Sequence, residues 1–556
     1  MIWVPRAPWR SGGTRKYTHG RAGFRCGPKC LVPPCDEQMT IPGRSAPDVN
    51  GDVQRGMAEI AIRGTAWATG QVVLNKFATV VAILLIARFL SASEFGAAAL
   101  ALSVAKFLCV LPPLNMGDVL IARGPSAAFA FASGRRFVLA VGAMIALIGC
   151  VASVPASWIF DDYPKEQLIA LVCVACLRPV GESMQVCALT HLRLQFRNRT
   201  IAFIDGSVQL AGTVLSVLLA WYGVGAWALV GTSTAVVFGK AIAYQLVGAG
   251  ATVGLASDAV RRYDLRHEFL AAAGGQYLHS VVDSLPFLML GWLSTASETG
   301  LFAFAVNLSG QANTLVATQV SSVLQPILGR LDHDADRQSR GYLRAMSTLS
   351  ALAVPVCLTQ AIFSGLIFGI FFDARWKDAA PVFAAMSVLE SFFFAAAPTM
   401  AMLKAQGRFR TFLAWQGCHL VVSAGIFAVA ASRGGSLAVA IASAALWSVS
   451  LPSAVWLSVR RGGFGPAAAI RVFAAPWTTA LPIGLMAWLA IGPLCSLGQG
   501  GRFAALFLLA PATLTAMLLA TRLSQPSVYR EVSGLVARLA SRVPVLRRFT
   551  GVPRER

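Results

Sequence analysis

Leu192-Arg193-Leu194-Gln195-Phe196-Arg197-Asn198-Arg199-Thr200 places three arginines within nine residues, between two long apolar segments. Cations at that density hold a short loop on the cytoplasmic side of a bilayer. Outward in both directions, the density returns in every second gap. The clusters are Arg123/Arg135/Arg136, Arg193/Arg197/Arg199, Arg261/Arg262/Arg266, Arg330/Arg337/Arg340, Lys404/Arg408/Arg410 and Arg460/Arg461/Arg471. The intervening gaps carry only Arg88, Lys165, Arg375, Lys377, Arg433 and Arg502. From Gly64 onward about fourteen apolar segments follow, each long enough to cross a hydrocarbon core of roughly 30 Å as a helix. The alternation predicts an all-α, multi-pass protein of the bacterial inner membrane with both termini cytoplasmic.

Composition agrees. The 556 residues are 56% hydrophobic and only 13% charged, against about 25% charged in soluble proteins. The formal charge of +22 lies in short loops and tails, which suits anionic inner-leaflet lipids and argues against nucleic acid. Most cysteines sit inside apolar segments as small hydrophobes. Cys173 and Cys176 have a metal-pair spacing but no second pair nearby, and Cys26, Cys30 and Cys35 with His19 have no ordered frame around them. Neither a metal nor a cofactor is expected. Residues 1–60 read as a disordered basic cytoplasmic tail, with Met39 and Met57 as alternative start positions. Residues 523–556 read as an amphipathic cytoplasmic tail, with Val528, Val532, Leu535 and Leu539 on one face.

An internal repeat organises what lies between. Leu90-Ser91-Ala92-Ser93-Glu94-Phe95-Gly96 returns as Leu293-Ser294-Thr295-Ala296-Ser297-Glu298-Thr299-Gly300, with one residue inserted. Leu192 to Thr200 returns as Leu403-Lys404-Ala405-Gln406-Gly407-Arg408-Phe409-Arg410-Thr411. Both pairs lay segments 1–6 over segments 7–12 at an offset of about 210 residues. Six is even, so the two units have the same orientation, as in parallel repeats. The expected domains are a six-helix bundle over 61–250, a second over 260–460, and helices 13 and 14 over 470–522. Two such bundles around a central cavity are the architecture of an alternating-access transporter.

Charges inside the segments mark candidate sites, because a lysine or arginine at mid-bilayer costs roughly 2.5–3.5 kcal/mol. Lys76, Lys106, Arg178 and Lys240 all fall in the first bundle. Glu182 follows Arg178 by four residues and shares its helix face, and Asp118 and Asp205 are further possible counter-charges. Lys76 and Lys106 would have to reach about 15 Å to escape the core, so a water-filled cavity is expected around them. Its positive surplus would suit an anionic cargo such as a diphosphate or an acidic sugar. In the second bundle, His279, Asp283 and Glu390 are candidates for proton or sodium coupling, with a purely structural His–Asp bond as the alternative. Asn307, Gln311 and Asn313 would hydrogen-bond sugars or join helices. Pro112-Pro113, Pro179, Pro286, Pro326, Pro355 and Pro398 permit hinges.

Over residues 60–460 the chain resembles the polysaccharide and O-antigen flippases of the multidrug/oligosaccharidyl-lipid/polysaccharide exporter superfamily. The residues that carry the resemblance are Phe95-Gly96, Leu194-Gln195-Phe196-Arg197, Gly223 to Val230, Asp283 with Gly291 to Gly300 and Phe302, Pro326 to Leu331, Pro355, and Phe368-Gly369 with Trp376. It departs from the family at His191-Leu192-Arg193 and in the longer loop around Phe372 to Trp376. The resemblance implies no enzymatic activity but transbilayer movement of an undecaprenyl-diphosphate-linked oligosaccharide, from cytoplasmic to periplasmic leaflet, for exopolysaccharide or O-antigen assembly. Polymerase or export machinery would be its partners. A cation-coupled drug antiporter would need acidic residues in the first bundle. A membrane glycan polymerase or ligase would need a sizeable outer loop, and a scaffold would leave the mid-membrane lysines without purpose.

Overall fold

In the computed structural model, residues 71, 74–109, 131–195, 197–247, 265–311, 334–399, 402–403, 406, 408–496, 498–526 and 530 are described; all that follows concerns these. Their regular structure is entirely helical. We number the helices by span: α1 (74–89), α2 (Ala92–Leu108), α3 (Phe131–Ser157), α4a (Lys165–Cys176), α4b (Arg178–Leu194), α5 (Asn198–Trp221) and α6 (Trp227–Val247). Next are α7 (Leu265–Leu293), α8 (Ala296–Ser309), α9a (Ala335–Ile362), α9b (Ser364–Phe371) and α10 (Ala379–Ala396). One continuous element, Phe409–Val459, is broken by non-helical backbone at Gly434 and Gly435 into α11 and α12. The last spans are α13 (Pro466–Cys495) and α14, which runs from Gln499 to Ser524 through a π-helical stretch, Ala505–Leu509.

Nine helices among the described residues are long and apolar enough to cross a membrane. One of them, Thr411–Gly462, holds two of the expected spans. Rows of exposed apolar side chains mark the lipid face: Met144, Leu147, Ile148 and Val151 on α3, and Leu485, Met486, Trp488 and Leu489 on α13. Such a surface suits hydrocarbon rather than water. The N-terminal tail, most of the C-terminal tail, Asn313, Pro112-Pro113 and Pro326 lie outside the described residues, as do parts of the basic gaps.

The repeat is visible in backbone detail. Ser91 caps α2 by accepting the Glu94 N–H, while the Glu94 carboxylate accepts the Ser91 N–H at 2.8 Å. Thr295 caps α8 by accepting the Glu298 N–H at 3.2 Å. Both caps satisfy helix-end donors that would otherwise be orphaned. The second motif gives the same turn twice: Arg197 N–H donates to Leu192 O at 3.0 Å, and Arg408 N–H to Leu403 O at 3.1 Å. Their φ/ψ values are −79°/48° and −90°/48°. Ahead of α6 and α12 stand Gly225 at φ +64° and Gly435 at φ +59°, left-handed positions that favour glycine. A repeat-equivalent glutamate meets each: Glu94 at Gly225 and Glu298 at Gly435. Hence α2, α5 and α6 correspond to α8, α11 and α12.

At the end of the bundle where the gaps are poor in charge, the repeats are joined. Trp376, from the turn before α10, donates through Nε1 to Ala87 O of α1 at 2.8 Å. Asp162, following α3, accepts the Ala296 N–H of α8 at 2.6 Å. Phe95 of the first repeat meets Phe304 and Trp376 of the second, with ring centroids 5.6 and 6.0 Å apart. Helices α13 and α14 pack against α9a, where Val354 and Leu358 bury with Ala480 and Met517.

Candidate functional site

Proline and charge coincide at the break in α4. Pro179 has no N–H to continue the helix, and Leu177 N–H turns back to Val174 O at 3.2 Å, closing the turn before α4b begins. Arg178 therefore starts a helix in the middle of a span. With Glu182 it faces a cavity of about 210 Å³, shared with Lys106 of α2 and with Tyr277, Ser280 and Asp283 of α7. The Tyr277 hydroxyl donates across the repeats to Phe107 O at 3.0 Å.

Lys106 and Asp283 also line a larger cavity of about 610 Å³ beside it. From the second repeat this receives His279, Pro286 and Phe287 of α7, and Phe302, Val306 and Asn307 of α8. Further lining comes from Met386 to Leu403 along and beyond α10, and from Trp415, Gln416, Ser443 and Trp447 of α11 and α12. The first repeat contributes Ala99 to Lys106 of α2. On both α2 and α10 the lining begins about two turns from the end where Trp376 packs and continues away from it.

The second-repeat polar groups form a chain. His279 Nε2 lies 3.7 Å from Asp283 Oδ2, one helical turn away. The other ring nitrogen, Nδ1, is 3.1 Å from Gln416 Nε2 of α11. Lys106, Arg178 and Asp283 line the smaller cavity together. The Glu390 carboxylate reaches over Gly310.

Five of the ten residues singled out in the sequence thus meet in the larger cavity: Lys106, His279, Asp283, Asn307 and Glu390. Arg178 joins Lys106 and Asp283 in the smaller one. Two lysines are placed differently. Lys240 sits 3.4 Å from Asp205 of α5 and lines neither cavity, because a closer carboxylate takes it up. Lys76 donates to Gln311 Oε1 at 3.3 Å, bridging α1 to the end of α8, and also lines neither. Asn307 donates to Ala303 O within its own helix, and Gln311 to Asn307 O.

The expected positive surplus is corrected accordingly. Among the described lining residues, Lys106 and Arg178 stand against Glu182, Asp283 and Glu390. Gln416, Trp415, Trp447 and the neighbouring His419 were not anticipated. A histidine and a glutamine inside an apolar segment were the available signal, the same one that marked His279.

The chain matches the polysaccharide biosynthesis protein family over residues 85–381, more than half its length. It belongs to that family. The matched stretch contains Lys106, Arg178, His279 and Asp283 and stops short of Glu390 and the aromatic residues of α11 and α12. Among curated relatives, the succinoglycan biosynthesis transport protein ExoT of Rhizobium meliloti (strain 1021) is 23% identical over 412 residues, 72% of this chain and 81% of the relative. Among solved structures, the lipid II flippase MurJ in an inward closed conformation superposes with a TM-score of 0.60 at 12% identity, over 84% of this chain and 99% of MurJ. An inward-facing multidrug resistance MATE transporter of the MOP superfamily gives 0.50 at 13% identity, over 71% and 95%. At these identities the two structures speak for the fold alone. What they share with this chain is an all-helical fold.

Proposed function

We propose that the protein is a flippase, not an enzyme. Its cargo would be an undecaprenyl-diphosphate-linked oligosaccharide, carried from the cytoplasmic to the periplasmic leaflet of the bacterial inner membrane for exopolysaccharide or O-antigen assembly. Family membership, a relative named for succinoglycan transport and the MOP fold support this reading. The arginine-rich gaps support cytoplasmic termini.

The observation that carries the mechanism is Lys106 of one repeat lining the same cavity as His279, Asp283 and Glu390 of the other. In the unloaded cavity, Asp283 and Glu182 offset Lys106 and Arg178, so neither cation is left uncompensated in low dielectric. A diphosphate entering from the inner leaflet offers both cations a stronger, multiply charged partner. The carboxylates it displaces would then take up a proton or a sodium ion, and His279, 3.7 Å from Asp283, would be the partner in the proton case. Such an exchange loads the repeat interface itself, where rocking of one bundle against the other must act.

A second reading, a cation-coupled drug antiporter, draws on the three carboxylates lining the cavities. Analysis of lipid-linked saccharides in a strain lacking the gene separates the two. The flippase reading expects one diphosphate-linked saccharide to accumulate, sheltered from glycosidase added outside spheroplasts. Unchanged amounts and unchanged accessibility would refute it and leave the antiporter.

A further inference from the structure

One wall of the larger cavity is aromatic, and neither the diphosphate nor a coupling ion uses it. Phe393 of α10, Phe412 and Trp415 of α11 and Trp447 of α12 all line the cavity. They form one strip, with ring centroids 4.7 Å apart for Phe393–Trp447, 6.3 Å for Trp415–Trp447 and 6.5 Å for Phe412–Trp415. The strip is braced from behind. His419 lies 4.0 Å from Trp447 and 5.7 Å from Trp415, and its Nδ1 pairs with Ser450 Oγ at 2.8 Å. Trp415 Nε1 donates to Ser453 Oγ at 3.1 Å, which fixes the plane of that indole.

Beside the strip is an acceptor without a donor. Gln416 lines the cavity with its side chain almost wholly enclosed, at 1% exposure. Its Nε2 faces His279, and its Oε1 has no hydrogen-bond partner among the described residues. Buried acceptors are nearly always satisfied, so an enclosed, unpaired one on a cavity-lining side chain is suited to a donor that a ligand brings once the amide turns toward it. Ser443 adds a hydroxyl on the α12 side.

We propose that this wall is a pyranose subsite: the rings of Trp415 and Trp447 carry one or two neutral sugar rings of the cargo, and Gln416 Oε1 accepts from a sugar hydroxyl. The fit is chemical. One face of a hexopyranose presents C–H bonds polarised by the ring and hydroxyl oxygens, which pack on the electron-rich face of an indole, while the hydroxyls at its edge demand acceptors. An isoprenoid tail would satisfy the rings but leave Gln416 unpaired. A diphosphate would meet an acceptor rather than a donor. The subsite deepens the flippase reading and rests on it, and it separates the duties between the two adjoining cavities. Lys106 and Arg178 hold the charged linkage, and α11 and α12 hold the sugars.

The test is equilibrium binding to the purified full-length protein in lipid nanodiscs. Two probes are compared: a polyprenyl diphosphate carrying a neutral hexose disaccharide, and the same lipid diphosphate without sugar. Wild type should prefer the first. Trp447→Leu and Gln416→Leu should each weaken the sugar-bearing probe about five- to tenfold, and Trp447→Leu should leave the sugar-free probe unchanged. That unchanged binding also reports an intact fold. Trp447→Phe keeps a stacking face and should retain most of the preference. Equal affinity of wild type for both probes, or equal loss of both in the variants, overturns the subsite and leaves the flippase standing. Failure of wild type to bind either probe overturns both.

Discussion

Gly96 and Gly300 pack back to back across the two repeats: a Cβ on Gly96 would overlap the carbonyl oxygen of Ala296, and one on Gly300 that of Ala92. Each glycine thus receives the backbone one turn earlier on the opposite helix, an exchange that small residues at a four-residue spacing permit. Gly96→Ala should therefore destabilise, by about 1–3 kcal/mol as for other overpacked contacts. Gly417, inside α11, has nothing within 4 Å of a built Cβ. There Gly→Ala should gain up to about 1 kcal/mol of helix propensity. Thermal unfolding of the two detergent-purified variants checks the opposite signs; equal shifts would contradict the contact.

The same end of the molecule should open when Trp376 is cut back. Trp376→Phe removes the hydrogen bond to Ala87 O, worth about 1 kcal/mol. Trp376→Ala also removes the ring packed against both Phe95 and Phe304, a loss of about 3–5 kcal/mol. A cysteine introduced at Ser103, which lines the larger cavity, reports the result in a background without native thiols. Labelling by an impermeant maleimide added at the Trp376 face should rise from wild type through Phe to Ala. Constant labelling would place the seal elsewhere.

Much of this arrangement was legible in the chain. Capping sequences are local, so Ser91/Glu94 and Thr295/Glu298 announced both helix starts and the repeat. What periodicity could not supply was the azimuth of each polar side chain. Lys76, Lys106 and Lys240 look alike as lone cations in apolar segments, and only packing shows that Gln311, Asp283 and Asp205 are their respective neighbours. The aromatic strip was hidden for the same reason. Trp415 and Trp447 are 32 residues apart in sequence and face each other only after the break at Gly434–Gly435 folds α12 back on α11.

From that placement, Lys240 should matter for stability and not for transport. Lys240→Met leaves Asp205 without its cation and should lower the melting temperature, and Asp205→Asn in the same chain should restore most of it. The pair is partly exposed, so a double-mutant cycle should return a coupling of up to about 1 kcal/mol. Loss of glycan export in the double variant at normal expression would move Lys240 back into the transport path.

The account turns on Lys106 as the cation that meets the cargo between the repeats. Purified protein in proteoliposomes, loaded with a polyprenyl-diphosphate oligosaccharide, measures this through the rate at which inner-leaflet saccharide becomes accessible to an enzyme outside. Lys106→Gln should slow that rate at least about tenfold, in keeping with loss of a charge-assisted contact of 1.5–3 kcal/mol, while Lys240→Met transports at the wild-type rate. Equal rates for wild type and Lys106→Gln would contradict the account.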